Sequence, residues 1–294
     1  MDKKRVFRNL LRIFVSAAII LFILWKVDFK EFFFIFENIN LVYILVVLVL
    51  LLIALLLSAY SVYIFLPKEF DLKKFLGYYS LSWAYGCFLP GRLGEFSIAF
   101  FLKKENIEYH KSVFYMILDK TITLIVLVLF SFFILPKLIP MKYILYLIVG
   151  VIILGLIFYF IAKIFFKRIY GYIAEARLYI LENYMKIILN LILTVLKWGV
   201  TGIAFWFAFK AMGFEISLIT VVLLNMAILL LSSIPITING LGLREGIAIL
   251  MYAPYGAGKE LVLAVYLTLR VFYYFFATFI IFFVYILRKD VRFK

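Results

Sequence analysis

Eight charged side chains of this 294-residue sequence lie in stretches that are otherwise apolar: Arg92, Glu95, Asp119, Lys120, Lys197, Arg244, Glu245 and Arg270. A lysine, arginine or aspartate at the centre of a membrane-embedded helix costs about 2.5–3.5 kcal/mol on insertion scales, so each calls for a partner or a polar cavity. Four of the eight belong to two glycine-rich knots, Pro90-Gly91-Arg92-Leu93-Gly94-Glu95 and Asn239-Gly240-Leu241-Gly242-Leu243-Arg244-Glu245-Gly246. Two arrangements would satisfy these charges. In a structural one, Glu95 pairs with Lys120 and Glu245 with Arg270, pinning each knot to the apolar stretch that follows it. In the other, the five cations outnumber the three carboxylates, and the surplus suits a phosphate. An arginine fork matches phosphate oxygens two at a time, and a helix starting after each knot aims its positive end at the same place. Arg92 and Arg244 are then the leading phosphate ligands and Lys120 and Arg270 the second rank, with Glu95, Asp119 and Glu245 beside them. Desolvation would also let Glu95 and Glu245 exchange a proton, which their positive neighbours oppose.

The elements that must carry these charges follow from composition. The chain is 67% apolar, 20% aromatic and 16% charged, against about 45–50% apolar and 25% charged in soluble domains. A soluble globular protein is excluded, because such a chain cannot cover its core with polar surface, and its apolar exterior must face lipid. Crossing ~30 Å of hydrocarbon takes roughly 20 helical residues. Six stretches qualify, near Leu11–Trp25, Leu41–Phe65, Ser112–Ile134, Ile144–Ala162, Ile187–Phe209 and Leu261–Leu287. Basic residues crowd the N-terminus, Lys163–Lys186 and the tail Arg288–Lys294, which puts both termini in the cytoplasm by the positive-inside rule and agrees with an even number of spans. Asp28–Asn40 is suited to an amphipathic helix in the membrane interface.

Two further segments, Leu76–Lys103 and Thr220–Tyr255, are each interrupted mid-way by a knot. Proline and glycine break the helix there, and the apolar piece after each knot, about 9–11 residues, makes only ~15 Å of helix. Re-entrant hairpins fit this length better than full crossings, with Pro90, Gly91, Gly94, Gly240 and Gly242 at their tips. Broken backbone at that depth requires surrounding protein or a watery cavity. An offset of 150 lays Leu243 on Leu93 and Glu245 on Glu95, and at the same offset Arg270 falls on Lys120. The single membrane domain, residues 1–294, thus contains two repeats, about 70–134 and 216–287. With three spans between the hairpins the repeat is inverted, the plan of alternating-access transporters with a midplane site. The expected fold is an all-α integral membrane protein of about six transmembrane helices plus two re-entrant hairpins.

Much chemistry is unsignalled. The one cysteine, Cys87, and the one histidine, His110, leave no Cys- or His-based metal site, and no phosphate-cradling, dinucleotide, HExxH or nucleophile-elbow motif occurs. Neither metal nor cofactor is expected. The net charge of +15 fits cytoplasmic loops against anionic lipid better than nucleic acid. The expected partners are membrane lipids with anionic head groups; a second copy of the chain is left open.

The stretches Phe88–Glu95 and Asn239–Glu245, in this order and about 150 residues apart, resemble the two signatures of the lysylphosphatidylglycerol synthase transmembrane-region family. The resemblance extends over nearly the whole chain. It implies a flippase that moves aminoacylated phosphatidylglycerol between leaflets, or, as for stand-alone archaeal members, a role with polyprenyl-phosphate sugar lipids. Where many members show Glu-Arg after the first motif, this chain has Asp119-Lys120, which keeps the signs and loses the arginine fork. The soluble aminoacyl-transferase domain of the bifunctional members is absent from this sequence, so the resemblance implies translocation without synthesis. The expected protein is a non-enzymatic lipid translocase of the cytoplasmic membrane, carrying an anionic phospholipid or a polyprenyl-phosphate-linked lipid. The alternatives are an intramembrane transferase acting on a lipid phosphate, with Glu95 or Asp119 as general base, and a scaffold for lipid or glycan biosynthesis.

Overall fold

The computed structural model describes residues 19, 21–23, 25–138, 140, 178–233, 237 and 240–287, apart from the side chains of residues 90–93, 285 and 287. These residues form helices and connecting turns, with no strand among them. Among the described residues nine α-helices follow one another: α1 Phe29–Glu37, α2 Leu41–Tyr63, α3 Leu72–Phe88, α4 Ile98–Lys103, α5 Tyr109–Ser131, α6 Tyr184–Ala211, α7 Leu218–Ser232, α8 Leu243–Tyr252 and α9 Lys259–Leu287. Four of them, α2, α5, α6 and α9, are long and apolar enough to cross a membrane. They match four of the six expected spans to within about three residues. The other two, at Leu11–Trp25 and Ile144–Ala162, lie outside the described residues but for a few positions of the first.

Polar caps set several helix starts. Asp28, Asn40 and Asp71 each accept from backbone N–H groups two and three residues on, and Ser217 accepts from Thr220, satisfying donors that have no intrahelical partner. On α2, Leu45, Val49, Leu52 and Leu56 are exposed while Val47, Leu51 and Ala54 are buried. Both faces are apolar, so one packs on protein and the other suits lipid. Helix α2 runs antiparallel to α6: the Asn40 N–H donates to the Ala211 carbonyl at 2.8 Å, and at the other end Asn190 Nδ2 donates to the Ser61 carbonyl at 2.7 Å. The largest core joins α2 and α6 to α7, α8 and α9 around Phe209, Leu224, Tyr252 and Val265, and a second gathers α2, α3, α4 and α5 around Phe75, Ile98, Leu102 and Met116. Helix α1 forms in the expected interfacial segment, with no buried residue, and the backbone N–H of Asp28 just before it is tied to Glu260 at 3.0 Å.

Both broken segments double back. After α3 the chain turns at Leu89 and returns through a 3₁₀ helix, Pro90–Ser97, and then α4. Ser97 Oγ meets Ser82 Oγ at 3.1 Å, and at the open end Lys74 Nζ and Tyr78 Oη donate to the two oxygens of Glu105 at 2.5 and 2.7 Å. Here the structure departs from the expected short α-helix. The knot itself is helical, in 3₁₀ form, and only six residues of α-helix follow. The close approach of the two limbs accounts for this, since a Cβ on Gly94 would overlap the backbone of Tyr85 and Gly86. A 3₁₀ helix rises about 2.0 Å per residue against 1.5 Å, which makes the return limb nearly as long as α3. The second segment, α7 then α8, matches expectation more closely, with a ten-residue helix after the knot. Gly240 and Gly242 there hold φ of 71° and 80°, which only glycine adopts cheaply.

Candidate functional site

Both expected pairs form. Lys120 Nζ lies 2.5 Å from Glu95 Oε2, and Arg270 Nη2 lies 2.5 Å from Glu245 Oε1. In each case the carboxylate belongs to a knot and the cation stands 25 residues later in the next span. Glu95 and Glu245 are buried, whereas the Lys120 side chain is 38% exposed. Gly86 lets Glu95 reach this position, since a Cβ on Gly86 would come within 2.7 Å of Glu95 Cγ. The second oxygen of Glu245 accepts the Gly242 N–H at 2.7 Å. The start of α8 is therefore met by a carboxylate of its own first turn, in the manner of half a capping box.

Asp119 is held differently from its neighbour Lys120. It is fully buried, and its Oδ1 accepts from Ser61 Oγ at 2.8 Å, Asn190 Nδ2 at 3.1 Å and Lys197 Nζ at 3.3 Å. Its Oδ2 is 4.0 Å from Lys120 Nζ. Charges of alternating sign thus run from Glu95 on the first hairpin through Lys120 and Asp119 on α5 to Lys197 on α6. Lys197 is the fourteenth residue of the 28-residue α6, about 20 Å along it, close to the middle of a span.

A cavity of about 490 Å³ opens between these elements, and Glu95, Lys120, Lys197 and Arg244 all reach its wall. Tyr79, Trp83, Trp198 and Tyr273 supply aromatic surface, and Ser58, Thr201, Ser232 and Thr237 polar surface. The volume lies in the range of small-molecule sites, and the mixture of apolar wall with a few convergent charges is their usual lining. Gly240 lines the same cavity. Arg244 also borders a smaller cavity of about 40 Å³ with Glu245, Arg270 and Tyr266, so the second hairpin's ion pair lies beside the main cavity. Asp119 is on neither wall. Pro90, Gly91 and Arg92 have their backbone in the 3₁₀ turn, and the side chain of Arg92 falls outside the described ones. Among the described residues no cluster of histidine, cysteine, aspartate and glutamate could hold a metal ion.

The family model described as lysylphosphatidylglycerol synthase TM region matches residues 9–281, nearly the full length. The chain belongs to this family. As a member of the lysylphosphatidylglycerol synthase transmembrane-region family it is a multi-pass membrane protein related to lipid synthesis or translocation. No curated protein and no solved structure matches it.

Sequence reasoning counted Lys197 among the intramembrane charges and left it out of the site, and it missed Ser61 and Asn190. The signal was present on α6, where Asn190, Thr194, Lys197 and Thr201 recur at helical spacing and all four are buried. A polar stripe of that period on an apolar span marks a face turned to protein or a cavity. Thr194 Oγ1 donates to Asn190 Oδ1 at 3.4 Å and Thr201 Oγ1 donates to the Lys197 carbonyl at 2.7 Å, so each threonine of the stripe is tied to the polar residue one turn before it.

Proposed function

We propose that this family member is a lipid translocase of the cytoplasmic membrane, which binds the anionic head group of its cargo in the 490 Å³ cavity and carries out no covalent chemistry. The cargo is an anionic phospholipid or a polyprenyl-phosphate-linked lipid. The observation that carries this reading is that one cavity draws charges from both hairpins, Glu95 from the first and Arg244 from the second, together with Lys120 and Lys197 from two spans. Around it four cations face three carboxylates, with Asp119, Glu245 and Arg270 included, so the described part of the site carries net positive charge. Low dielectric strengthens the attraction of such a site for a phosphate. The hairpins are re-entrant, related by an inverted repeat, and enter from opposite faces with both termini cytoplasmic. The matched Glu95–Lys120 and Glu245–Arg270 pairs support the repeat. Opening in turn to each leaflet, the cavity lets a head group cross while its chains stay in lipid.

The test is purified protein in liposomes containing phosphatidylglycerol with a fluorescent head group, followed by quenching with a reagent that cannot cross the bilayer. Transbilayer movement above that of protein-free vesicles, reduced at least tenfold in Arg244→Ala, is expected. Movement equal to the protein-free rate would overturn the reading, and a chemically changed lipid would point to the transferase alternative.

A further inference from the structure

We propose that Lys197 is a ligand of the cargo phosphate and that Asp119 is the positioning residue that holds it in the cavity; this rests on the translocase reading of that cavity. The two residues form a buried ion pair across α5 and α6, yet only Lys197 reaches the cavity wall. An ammonium has three N–H donors, and among the described residues Asp119 is the acceptor it reaches. The remaining two donors are left for whatever enters the cavity. The contact to Asp119 at 3.3 Å is also the longest of the three that Oδ1 accepts, behind Ser61 at 2.8 Å and Asn190 at 3.1 Å. Two neutral donors therefore fix the carboxylate independently of the lysine, and the carboxylate fixes the lysine.

A purely structural account fits this pair poorly. Replacing a buried ion pair with apolar side chains of similar volume is often neutral or stabilising, so packing gives no reason to keep a lysine at the centre of a span. A cavity ligand gives one. Lys197 adds a cation from α6 to Lys120 of α5 and Arg244 of the second hairpin, so that three separate elements bring positive charge to one cavity. As a compact point charge it attracts phosphate without demanding the two-point geometry of an arginine.

The full chain, purified in detergent micelles, would be titrated with dihexanoylphosphatidylglycerol and followed by tryptophan fluorescence, since Trp83 and Trp198 line the cavity. Dihexanoylglycerol, which keeps the chains and lacks the phosphate, is the control. The variant Lys197→Met with Asp119→Asn removes both charges, strands neither, and keeps an acceptor for Ser61 and Asn190. It is expected to retain wild-type helix content and to bind the phosphatidylglycerol at least tenfold more weakly. In a Cys87→Ala background, Lys197→Cys should bind as weakly, and alkylation with bromoethylamine, which restores an ammonium, should recover most of the affinity. A folded double variant of wild-type affinity would overturn the assignment of Lys197; if Arg244→Ala still weakened binding, the translocase reading would stand. No saturable response of the wild type to the lipid, or a response to inorganic phosphate alone, would overturn both.

Discussion

Replacing Arg270 with methionine tests whether the second hairpin is pinned by charge. The Arg270 and Glu245 side chains are 13% and 4% exposed and their closest atoms are 2.5 Å apart, so the substitution leaves a buried carboxylate without its cation. Breaking a buried pair in this way costs about 3–5 kcal/mol. The lower end applies, about 3 kcal/mol, because Glu245 Oε2 keeps the Gly242 N–H and one of its oxygens stays satisfied. Adding Glu245→Leu removes the stranded charge and leaves the buried Gly242 N–H without an acceptor, a cost of about 1–3 kcal/mol. Adding Glu245→Gln instead removes the charge and keeps the acceptor but leaves the buried amide NH2 that replaces Glu245 Oε1 unpaired, a cost of the same order, about 1–3 kcal/mol. The expected order of stability is therefore wild type, then the two double variants, Arg270→Met/Glu245→Gln and Arg270→Met/Glu245→Leu, and, lowest, Arg270→Met. Unfolding of purified protein in mixed micelles with increasing dodecyl sulfate, followed by circular dichroism, measures it. An Arg270→Met variant as stable as wild type, or double variants no better than the single one, would show that charge does not pin the second hairpin.

Two further outcomes follow from the first hairpin. Gly94→Ala should lower stability by about 3 kcal/mol or more and yield little folded protein in detergent, because the added Cβ meets the backbone of Tyr85 and Gly86 rather than a side chain that can swing away; size-exclusion chromatography and circular dichroism report it. Glu105, in the loop that closes this hairpin, has its carboxyl held below the usual range by the hydrogen bond from Lys74 and then that from Tyr78. A folded-state pKa below the unfolded one contributes stability that is full above the unfolded pKa and is lost as pH falls through the folded pKa. The thermal midpoint of the wild type should therefore drop more than that of Glu105→Gln between pH 6 and pH 3, with the difference confined below about pH 4.5 and equivalent to no more than about 1 kcal/mol for a partly exposed pair.

The spans that the structure describes were legible because a long unbroken apolar run has one stable solution in lipid. The breaks were legible from Pro90, Gly91, Gly240 and Gly242. The kind of backbone after the first break was not, since the fit of Gly94 against Tyr85 and Gly86 decides it and those residues meet only once the hairpin has closed. The pairs Glu95–Lys120 and Glu245–Arg270 could be read from one spacing occurring twice. Asp119–Lys197 could not: the residues lie 78 apart, on helices whose adjacency no local pattern states, so the sequence offered Asp119 no partner.

This arrangement also bears on how the site can be dissected. Lys120 stands between Glu95 and Asp119, at 2.5 and 4.0 Å, and Asp119 stands between Lys120 and Lys197. Removing Lys120, Asp119 or Lys197 strands a buried neighbour of opposite sign, so single neutralisations at these three should weaken folding, whichever of them touches cargo, while removing Glu95 leaves only the partly exposed Lys120 behind. Residues in such a network do not contribute additively. A screen of single alanine variants would therefore return all three as essential and leave ligands and scaffolding indistinguishable. Variants that remove opposite charges two at a time keep the sign balance, and the loss of lipid binding that persists in them belongs to the cargo contact alone.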